Sequence, residues 1–344
     1  MKRPRFPWLK LLLGGLILMC LACILMALPM LGIGGNQVEH AYVSFDVHPD
    51  GKHIVFSSAA GDLYVLDLTA RKVKRLTNTP RIETGPRYAP NGSTLIFAAE
   101  NEFNGVSLFE MPSAGGPERR LTRYKSSDSE SSFSADGRSI LFTRASRYRA
   151  YSMGGMVWDA FDLYVLDLAT LKTRPVTHES YYSAGPAAFA KNGTDIIFCA
   201  EGHGEELSSR TYRVAADGKS KPRAFMPVPA GTQVKGSWAS GLRVSRSGKL
   251  ITFISDRKDD FAYDVYVADA DGSHVRALGL TKVSRYNQSP VFAPDEKSVY
   301  ALAGVERNDH SRPIYSLYRI DLNGKATRIA GSSLFTDPKT WSGK

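Results

Sequence analysis

The length and composition of the chain indicate a folded protein of one or two domains. It has 344 residues, 43% of them hydrophobic, which suits one large core or two ordinary ones and argues against disorder. The formal net charge is +10, but four cations lie within the first ten residues and the others are scattered singly. Nucleic-acid-binding proteins concentrate positive charge on one face or helix, so we expect no nucleic-acid partner.

The first predicted element is an apolar run over residues 8–31, in which Lys10 is the only charge. About 20 apolar residues in a helix span a bilayer core, whereas a cleavable signal has an apolar region of about 7–15 residues. Basic residues before such a run stay in the cytoplasm. The pattern predicts a cytoplasmic basic segment over 1–10, a transmembrane signal-anchor over 8–31, a linker over 32–42 and an exported body. A cleaved signal is the alternative.

A repeated unit follows the linker. Most copies begin with an aromatic residue, which is followed by two further residues, then Asp or Asn, and then Gly. The same copies continue with an apolar residue, any residue and Phe, which is called the apolar–x–Phe step below. Successive turn positions lie 41, 45, 56, 55 and 48 residues apart, which is the period of a four-stranded propeller blade. The six copies begin at Val47, Tyr88, Phe133, Phe189, Val244 and Phe292.

Each copy predicts four strands. Asp-Gly and Asn-Gly favour a tight hairpin because glycine accepts positive φ, and the flanking apolar residues recur with the period of two that is typical of strands. A third strand follows, as in residues 62–68, and then a fourth, as in residues 74–77. We therefore predict an all-β, six-bladed β-propeller over residues 43–330, preceded by one transmembrane helix and followed by a tail over 331–344.

The repeats resemble those of the TolB-type (WD-like) β-propeller family of bacterial envelope proteins. The resemblance is carried by (Phe/Tyr)-(Ser/Ala)-x-(Asp/Asn)-Gly-x-x-Ile-x-Phe, then Asp-Leu-Tyr-Val-Leu-Asp-Leu and Arg-Leu-Thr, over nearly all of residues 43–330. Together with the predicted signal-anchor, it implies a single-pass protein of the bacterial cytoplasmic membrane whose propeller faces the periplasm or exterior. TolB itself has an α/β domain before its propeller, whereas this sequence has a membrane segment and a short link there. The specific role of TolB therefore does not carry over.

Motifs for catalysis and metal binding are sparse. None of the seven histidines forms an i, i+4 pair on a helix, and His48 and His53 flank the first tight turn, where surface positions are expected. Similar repeats occur in prolyl-oligopeptidase-like peptidases, but this sequence contains no Gly-x-Ser-x-Gly elbow. We predict no cofactor and no metal. The alternative is a metal at the axis, held by histidines such as His40, His178 and His203.

The longest insertions fall between the second and third strands of the blades, on the face where the blade-to-blade connections also emerge. The largest covers residues 144–161 and is expected to be a loop rich in Arg, Tyr, Trp and Met, which are enriched at protein interfaces. Packing of this loop on its own propeller is the alternative. Its candidate binding residues are Arg144, Arg147, Tyr148, Arg149, Tyr151 and Trp158.

A second group of candidates comes from the residues that begin each blade. First strands start at the channel mouth, so acidic and aromatic residues there are expected to form a rim that suits a peptide or a sugar. The candidate rim residues are Glu83, Asp128, Glu130, Tyr182, Trp238 and Asn287. Filling of the space between blades is the alternative for the aromatic ones.

Taken together, these patterns favour a non-catalytic, membrane-anchored extracytoplasmic propeller that binds a protein or peptide on its insert-bearing face. The alternative is a carbohydrate-active or metal-dependent enzyme, a lyase or hydrolase, that uses the axial channel and takes a sugar or another small molecule.

Overall fold

The computed structural model describes residues 43–150, 155–202, 210–226, 239–257, 262–305 and 314–343. The predicted basic segment, signal-anchor and linker all lie outside these residues. Within them, no helix is long and apolar enough to cross a membrane.

Six antiparallel sheets of four strands each form the blades, which confirms the predicted all-β, six-bladed propeller. Every sheet consists of four consecutive strands of the chain. The first strands of neighbouring blades contact one another all the way around the ring, so they surround the axis.

The strands follow the chain order of the blades. Blades 1 and 2 comprise β1 (Phe45–Val47), β2 (His53–Ser57), β3 (Leu63–Asp67), β4 (Lys72–Arg75), β5 (Glu83–Tyr88), β6 (Thr94–Glu100), β7 (Val106–Pro112) and β8 (Arg119–Arg120). Blades 3 and 4 comprise β9 (Ser127–Phe133), β10 (Ser139–Ala150), β11 (Met156–Asp167), β12 (Thr173–Pro175), β13 (Ser183–Phe189), β14 (Asp195–Glu201), β15 (Arg210–Ala215) and β16 (Arg223–Ala224). Blades 5 and 6 comprise β17 (Ala239–Val244), β18 (Leu250–Ser255), β19 (Asp264–Asp269), β20 (Arg276–Ala277), β21 (Tyr286–Phe292), β22 (Ser298–Val305), β23 (Ile314–Asp321) and β24 (Ala326–Ala330). A 3₁₀ turn (Leu280–Lys282) precedes β21, and a short helix, α1 (Ser333–Thr336), follows β24.

A tight turn joins the first two strands of every blade. In five blades its glycine has a φ between 67° and 77°, as the repeat predicts. The sixth blade has Glu296 there, at a φ of 55°. The Glu296 carboxylate accepts hydrogen bonds from the backbone N–H and the hydroxyl of Ser247, the latter at 2.6 Å. A side chain at this position therefore links the turns of blades 5 and 6.

Aromatic pairs recur inside the blades. In five blades a buried Phe on the second strand packs against the aromatic residue opposite it on the third strand, with ring centroids 5.4–5.8 Å apart. Such cross-strand pairs stabilise a sheet beyond the burial of their surface. The pairs are Phe56–Tyr64, Phe97–Phe109, Phe142–Tyr164, Phe198–Tyr212 and Phe253–Tyr266.

The ring closes by packing between blade 1 and blade 6. Phe45 and Phe56 of blade 1 share one buried cluster with Leu302 and Leu317 of blade 6. Within the described residues, each of these two blades builds its sheet from its own four strands and exchanges none with the other. Among these residues, side-chain packing joins the two blades.

The segment after the last strand, which was expected to be a tail over 331–344, packs against the body as far as residue 343. Leu334 and Phe335 of α1 are 0% and 1% exposed and belong to the cluster that closes the ring. The backbone carbonyl of Phe335 accepts a hydrogen bond from the Ala59 N–H at 2.9 Å. Farther on, the Arg71 guanidinium donates to the Gly343 carbonyl at 2.8 Å.

We expect Phe335→Ala to lower the free energy of unfolding by about 3–5 kcal/mol, the usual cost of truncating a buried Phe. The ring of Phe335 packs edge-on against Phe56, with centroids 5.3 Å apart, so the substitution leaves a cavity at the closure. Urea denaturation of the purified chain measures the effect. The control is Lys339→Ala, an exposed position in the same segment, which should change stability by less than about 0.5 kcal/mol. Equal stability of the two variants would contradict the closing role of α1.

Candidate functional site

Blade 3 carries a long β-hairpin between its second and third strands. β10 and β11 each run for 12 residues, and their pairing continues to Ala150 opposite Met156. The expectation of a loop over 144–161 is therefore wrong, because residues 144–150 and 156–161 extend the strands of the blade itself. Within the first stretch Arg147, Tyr148 and Arg149 alternate with the period of a strand, and this was a local signal in the sequence.

One buried carboxylate holds two arginines of this hairpin. Asp159 is 3% exposed and accepts hydrogen bonds from Arg147, at 2.7 and 3.1 Å, and from Arg149. The bond from Arg147, followed by that from Arg149, overcomes the effect of burial and lowers the pKa of Asp159 to about 2. The two arginine side chains stay 56% and 43% exposed. The hairpin therefore presents an excess of positive charge.

An aromatic pair holds the hairpin against blade 2. Tyr148 and Trp158 face each other across the two strands, with ring centroids 5.0 Å apart. The indole N–H of Trp158 donates to the Asn104 carbonyl at 2.8 Å. A Cβ at the adjacent Gly105 would lie 3.0 Å from the indole nitrogen and 2.7 Å from a backbone oxygen, so only glycine permits this approach.

At the root of the hairpin, two predicted site residues pair with each other. Arg144 and Asp128 are 6% and 1% exposed and form a two-point ion pair at 2.7 and 2.8 Å. The guanidinium also lies 4.4 Å from the centre of the Tyr124 ring and 4.8 Å from that of Tyr164. A desolvated pair of this kind holds β9 against β10, and neither charge is left to meet a ligand.

Two other predicted rim residues are also buried. Glu83 is 0% exposed and accepts a hydrogen bond from the Thr79 hydroxyl at 2.7 Å, and burial raises the pKa of its carboxyl group. Asn287 is 4% exposed, and its amide group donates to two backbone carbonyls at 2.7 Å. A β-bulge later in the first strand of five blades sharpens the local twist, which the sequence pattern does not reveal.

The remaining predicted residues are either exposed or outside the described part of the chain. Glu130 is exposed at a φ of 49°, and Tyr182 is 43% exposed. Tyr151 and Trp238 lie outside the described residues. The structure thus brings Arg147, Arg149, Tyr148 and Trp158 together on the hairpin, and it separates them from the buried residues of the predicted rim.

Exposed apolar side chains share one face of the propeller. We call this the insert face, since the second-to-third-strand connections and the blade-to-blade connections emerge there; the opposite side, with the tight turns, is the turn face. Every large apolar residue that is exposed within the described ranges lies on the insert face. These residues are Tyr124, Met156, Val157, Tyr182, Val283 and Val305.

The first tight turn contains the histidines that were expected at the surface. His48, Asp50 and His53 place potential metal ligand atoms within 4.8 Å of one another. However, His48 Nε2 donates to the Gly92 carbonyl at 3.1 Å, and its Nδ1 accepts the Asp50 N–H at 3.1 Å. A metal would have to displace one of these backbone bonds, so the geometry favours a link between blades 1 and 2.

A cavity of about 790 Å³ lies around the axis and opens among the tight turns of all six blades. Of the predicted rim residues that the structure describes, none lines it. Its wall includes Asp46, Arg87 and Arg243, which occupy equivalent positions in the first strands of blades 1, 2 and 5. The prediction from the sequence missed this site because it considered only the charged residues at the starts of the first strands. The charged residues of the cavity instead come directly before the first aromatic or apolar residue of the repeat, and that position was their signal in the sequence.

The sequence profile of the TolB beta propeller domain matches residues 39–242, which is more than half of the chain. The chain belongs to this family. The resemblance predicted from the repeats is thereby confirmed. An uncharacterized protein of Agrobacterium fabrum, Atu1656, is 25% identical over 262 residues, covering 72% of this chain and 79% of its own length.

Solved structures share the fold of this TolB-type propeller at low sequence identity. The putative TolB from Agrobacterium tumefaciens is 19% identical with a TM-score of 0.54, covering 74% of this chain and 87% of that one. An oligogalacturonate lyase in complex with manganese is 16% identical with a TM-score of 0.57, covering 88% and 79%. Similarity at this level shows the fold alone, so it selects neither binding nor catalysis.

The cavity carboxyl group of Asp46 gives a pH-dependent prediction. Burial raises its pKa, although Arg87 and the Tyr88 N–H, which donates at 2.8 Å, oppose the shift. The unfolded chain therefore loses this proton at lower pH than the folded chain, and the resulting destabilisation grows as pH rises above about 4. We expect Asp46→Asn to raise the melting temperature at neutral pH and to have less effect in acid.

Thermal unfolding across a pH series measures this difference. Asp217→Asn, in an exposed turn of blade 4, is the matched control. Its melting temperature should differ from that of the unmodified chain by the same amount at every pH. Loss of stability in Asp46→Asn at neutral pH would mean that the ionised carboxylate supports the fold.

Proposed function

We propose that this protein is an exported, membrane-anchored propeller that binds a protein partner on its insert face. The observation that carries the proposal is the location of the exposed apolar side chains, which within the described residues all lie on that face. Large apolar side chains that are exposed on one face offer surface for a protein partner to bury. The hairpin of blade 3 adds rigid aromatic and arginine side chains, the types that dominate binding energy at interfaces.

The charge of the hairpin defines the kind of partner. Arg147 and Arg149 share the single carboxylate of Asp159, so one positive charge is left over beside Met156 and Val157. A complementary surface offers apolar side chains next to carboxylates. We therefore propose a partner segment that is apolar and acidic.

Shortening the hairpin tests its part in binding. We suggest replacing residues 147–159 with Asn-Gly, a tight hairpin turn, which removes Asp159 together with its two arginines and keeps the Arg144–Asp128 pair. Partners would be crosslinked in cells and recovered with the intact or the shortened chain. We expect recovery of specific partners to fall strongly, because the hairpin provides aromatic and arginine contacts. Equal recovery by a folded, shortened chain would exclude the hairpin as the binding element.

A pair of point substitutions tests the apolar surface separately. Met156→Glu combined with Tyr182→Glu should reduce partner recovery at least tenfold, as about 1.4 kcal/mol of binding energy corresponds to tenfold in affinity. The matched control is Ala70→Glu combined with Ala114→Glu, which adds the same charge at exposed positions on the turn face. Equal loss in both double variants would point to net charge rather than to the insert face.

The anchor is supported by the apolar run over 8–31 and by the basic residues before it. We propose that this run holds the propeller at the outer face of the bacterial cytoplasmic membrane. The full chain should stay with membranes after an alkaline wash, whereas a chain with its own run replaced by a cleavable signal should be released. Recovery of the natural chain as a shortened, soluble form would indicate cleavage instead.

A further inference from the structure

Two arginines occupy equivalent places on opposite blades of the propeller. Arg87 directly precedes Tyr88, which pairs with Leu95, and Arg243 directly precedes Val244, which pairs with Ile251. They belong to blades 2 and 5, which are three positions apart in a ring of six. Both line the axial cavity on the turn face, so their side chains approach it from opposite walls.

Both guanidinium groups are held in the same way. Arg87 Nη1 donates to the Pro86 carbonyl at 2.8 Å and to that of Phe45 at 3.3 Å, and Arg243 Nη1 donates to the Leu242 carbonyl at 2.9 Å. Backbone carbonyls thus fix both cations against the wall of the ring. In each the Nε–H remains buried, and no atom of the described residues accepts a hydrogen bond from it.

An unsatisfied N–H on a buried cation is costly, and such groups are rare unless they have a partner outside the protein chain. Arg87 as a whole is only 8% exposed, so bulk water does not surround it. The carboxylate of Asp46 lies near Arg87 but accepts the Tyr88 N–H. Both arginines line the cavity, and each keeps an unsatisfied Nε–H buried in its wall.

The charge of the whole cavity wall is also positive. Including the two arginines, five cationic side chains and two carboxylates line the cavity, and the remaining surface is largely apolar. At the mouth, Arg246 of blade 5 donates to the Pro90 carbonyl of blade 2 at 3.4 Å. One arginine side chain is therefore long enough to connect these two opposite blades. The cavity volume of about 790 Å³ falls in the usual range for small-molecule sites.

We propose that this cavity binds a small organic dianion with two carboxylate groups, one at Arg87 and one at Arg243, and with an apolar middle section against the wall. Carboxylates accept charge-assisted hydrogen bonds from guanidinium groups, and two opposed arginines suit two acidic groups better than one. This site lies on the opposite face from the proposed partner surface and does not depend on it.

Isothermal titration of the purified full-length chain with succinate and with glutarate tests the proposal. We expect one of the two to bind with a stoichiometry of one, whereas succinamide, which has the same skeleton without charge, should not bind. Arg87→Gln and Arg243→Gln should each weaken binding about tenfold or more, as a lost charge-assisted hydrogen bond implies. Asp46→Asn, which removes a nearby negative charge, should strengthen it.

Arg138→Gln is the matched control, because Arg138 is an exposed arginine of the turn face that does not line the cavity. Its affinity for the dicarboxylate should equal that of the unmodified chain. The proposal is overturned if neither dicarboxylate binds at millimolar concentration, or if binding is unchanged in both Arg87→Gln and Arg243→Gln. Binding of orthophosphate alone would overturn the assignment of two carboxylates. Partner recovery through the insert face would be unaffected by any of these results.

Discussion

The packing of blade 1 against blade 6 is the contact on which the rest of the structure depends. A blade is a sheet with two apolar faces, and both faces are covered only when the ring is complete. Within the described residues, blades 1 and 6 share a buried cluster but no strand, so side-chain packing holds the closure there. Phe335 of α1 enters that same cluster from the end of the chain. The final residues of the described chain thus help to keep the ring of blades closed around its axis.

Closure of the ring also gives the propeller two chemically different faces. The insert face carries the exposed apolar side chains and the long hairpin of blade 3. The turn face carries tight turns around a cavity whose charged side chains are mainly cationic. The fold therefore separates a face with exposed apolar side chains from a cavity with cationic ones, and the two share no residues.

Buried charges serve different purposes on these two sides. Arg144 and Asp128 satisfy each other fully at the root of the hairpin, and such a pair contributes a defined geometry rather than a binding site. Arg87 and Arg243 are fixed by carbonyl groups and keep an unsatisfied N–H each. In the first case the partner lies across the neighbouring strand, whereas in the second no atom of the described residues accepts the remaining N–H.

The sequence by itself determined the number of blades, their four strands and the family, because the turn glycines and the apolar–x–Phe step recur at positions that strand geometry dictates. It also identified residues 144–161 as an unusual insertion. Within that insertion, the candidate binding residues included Arg147, Arg149, Tyr148 and Trp158. Only the tertiary structure decided that this insertion is a hairpin lying on blade 2, that Arg144 pairs with Asp128, and that Glu83 and Asn287 are buried. The side chains that line the axial cavity were likewise not predicted from the sequence. Arg87 and Arg243 lie 156 residues apart, and only closure of the ring places them on opposite walls of one cavity.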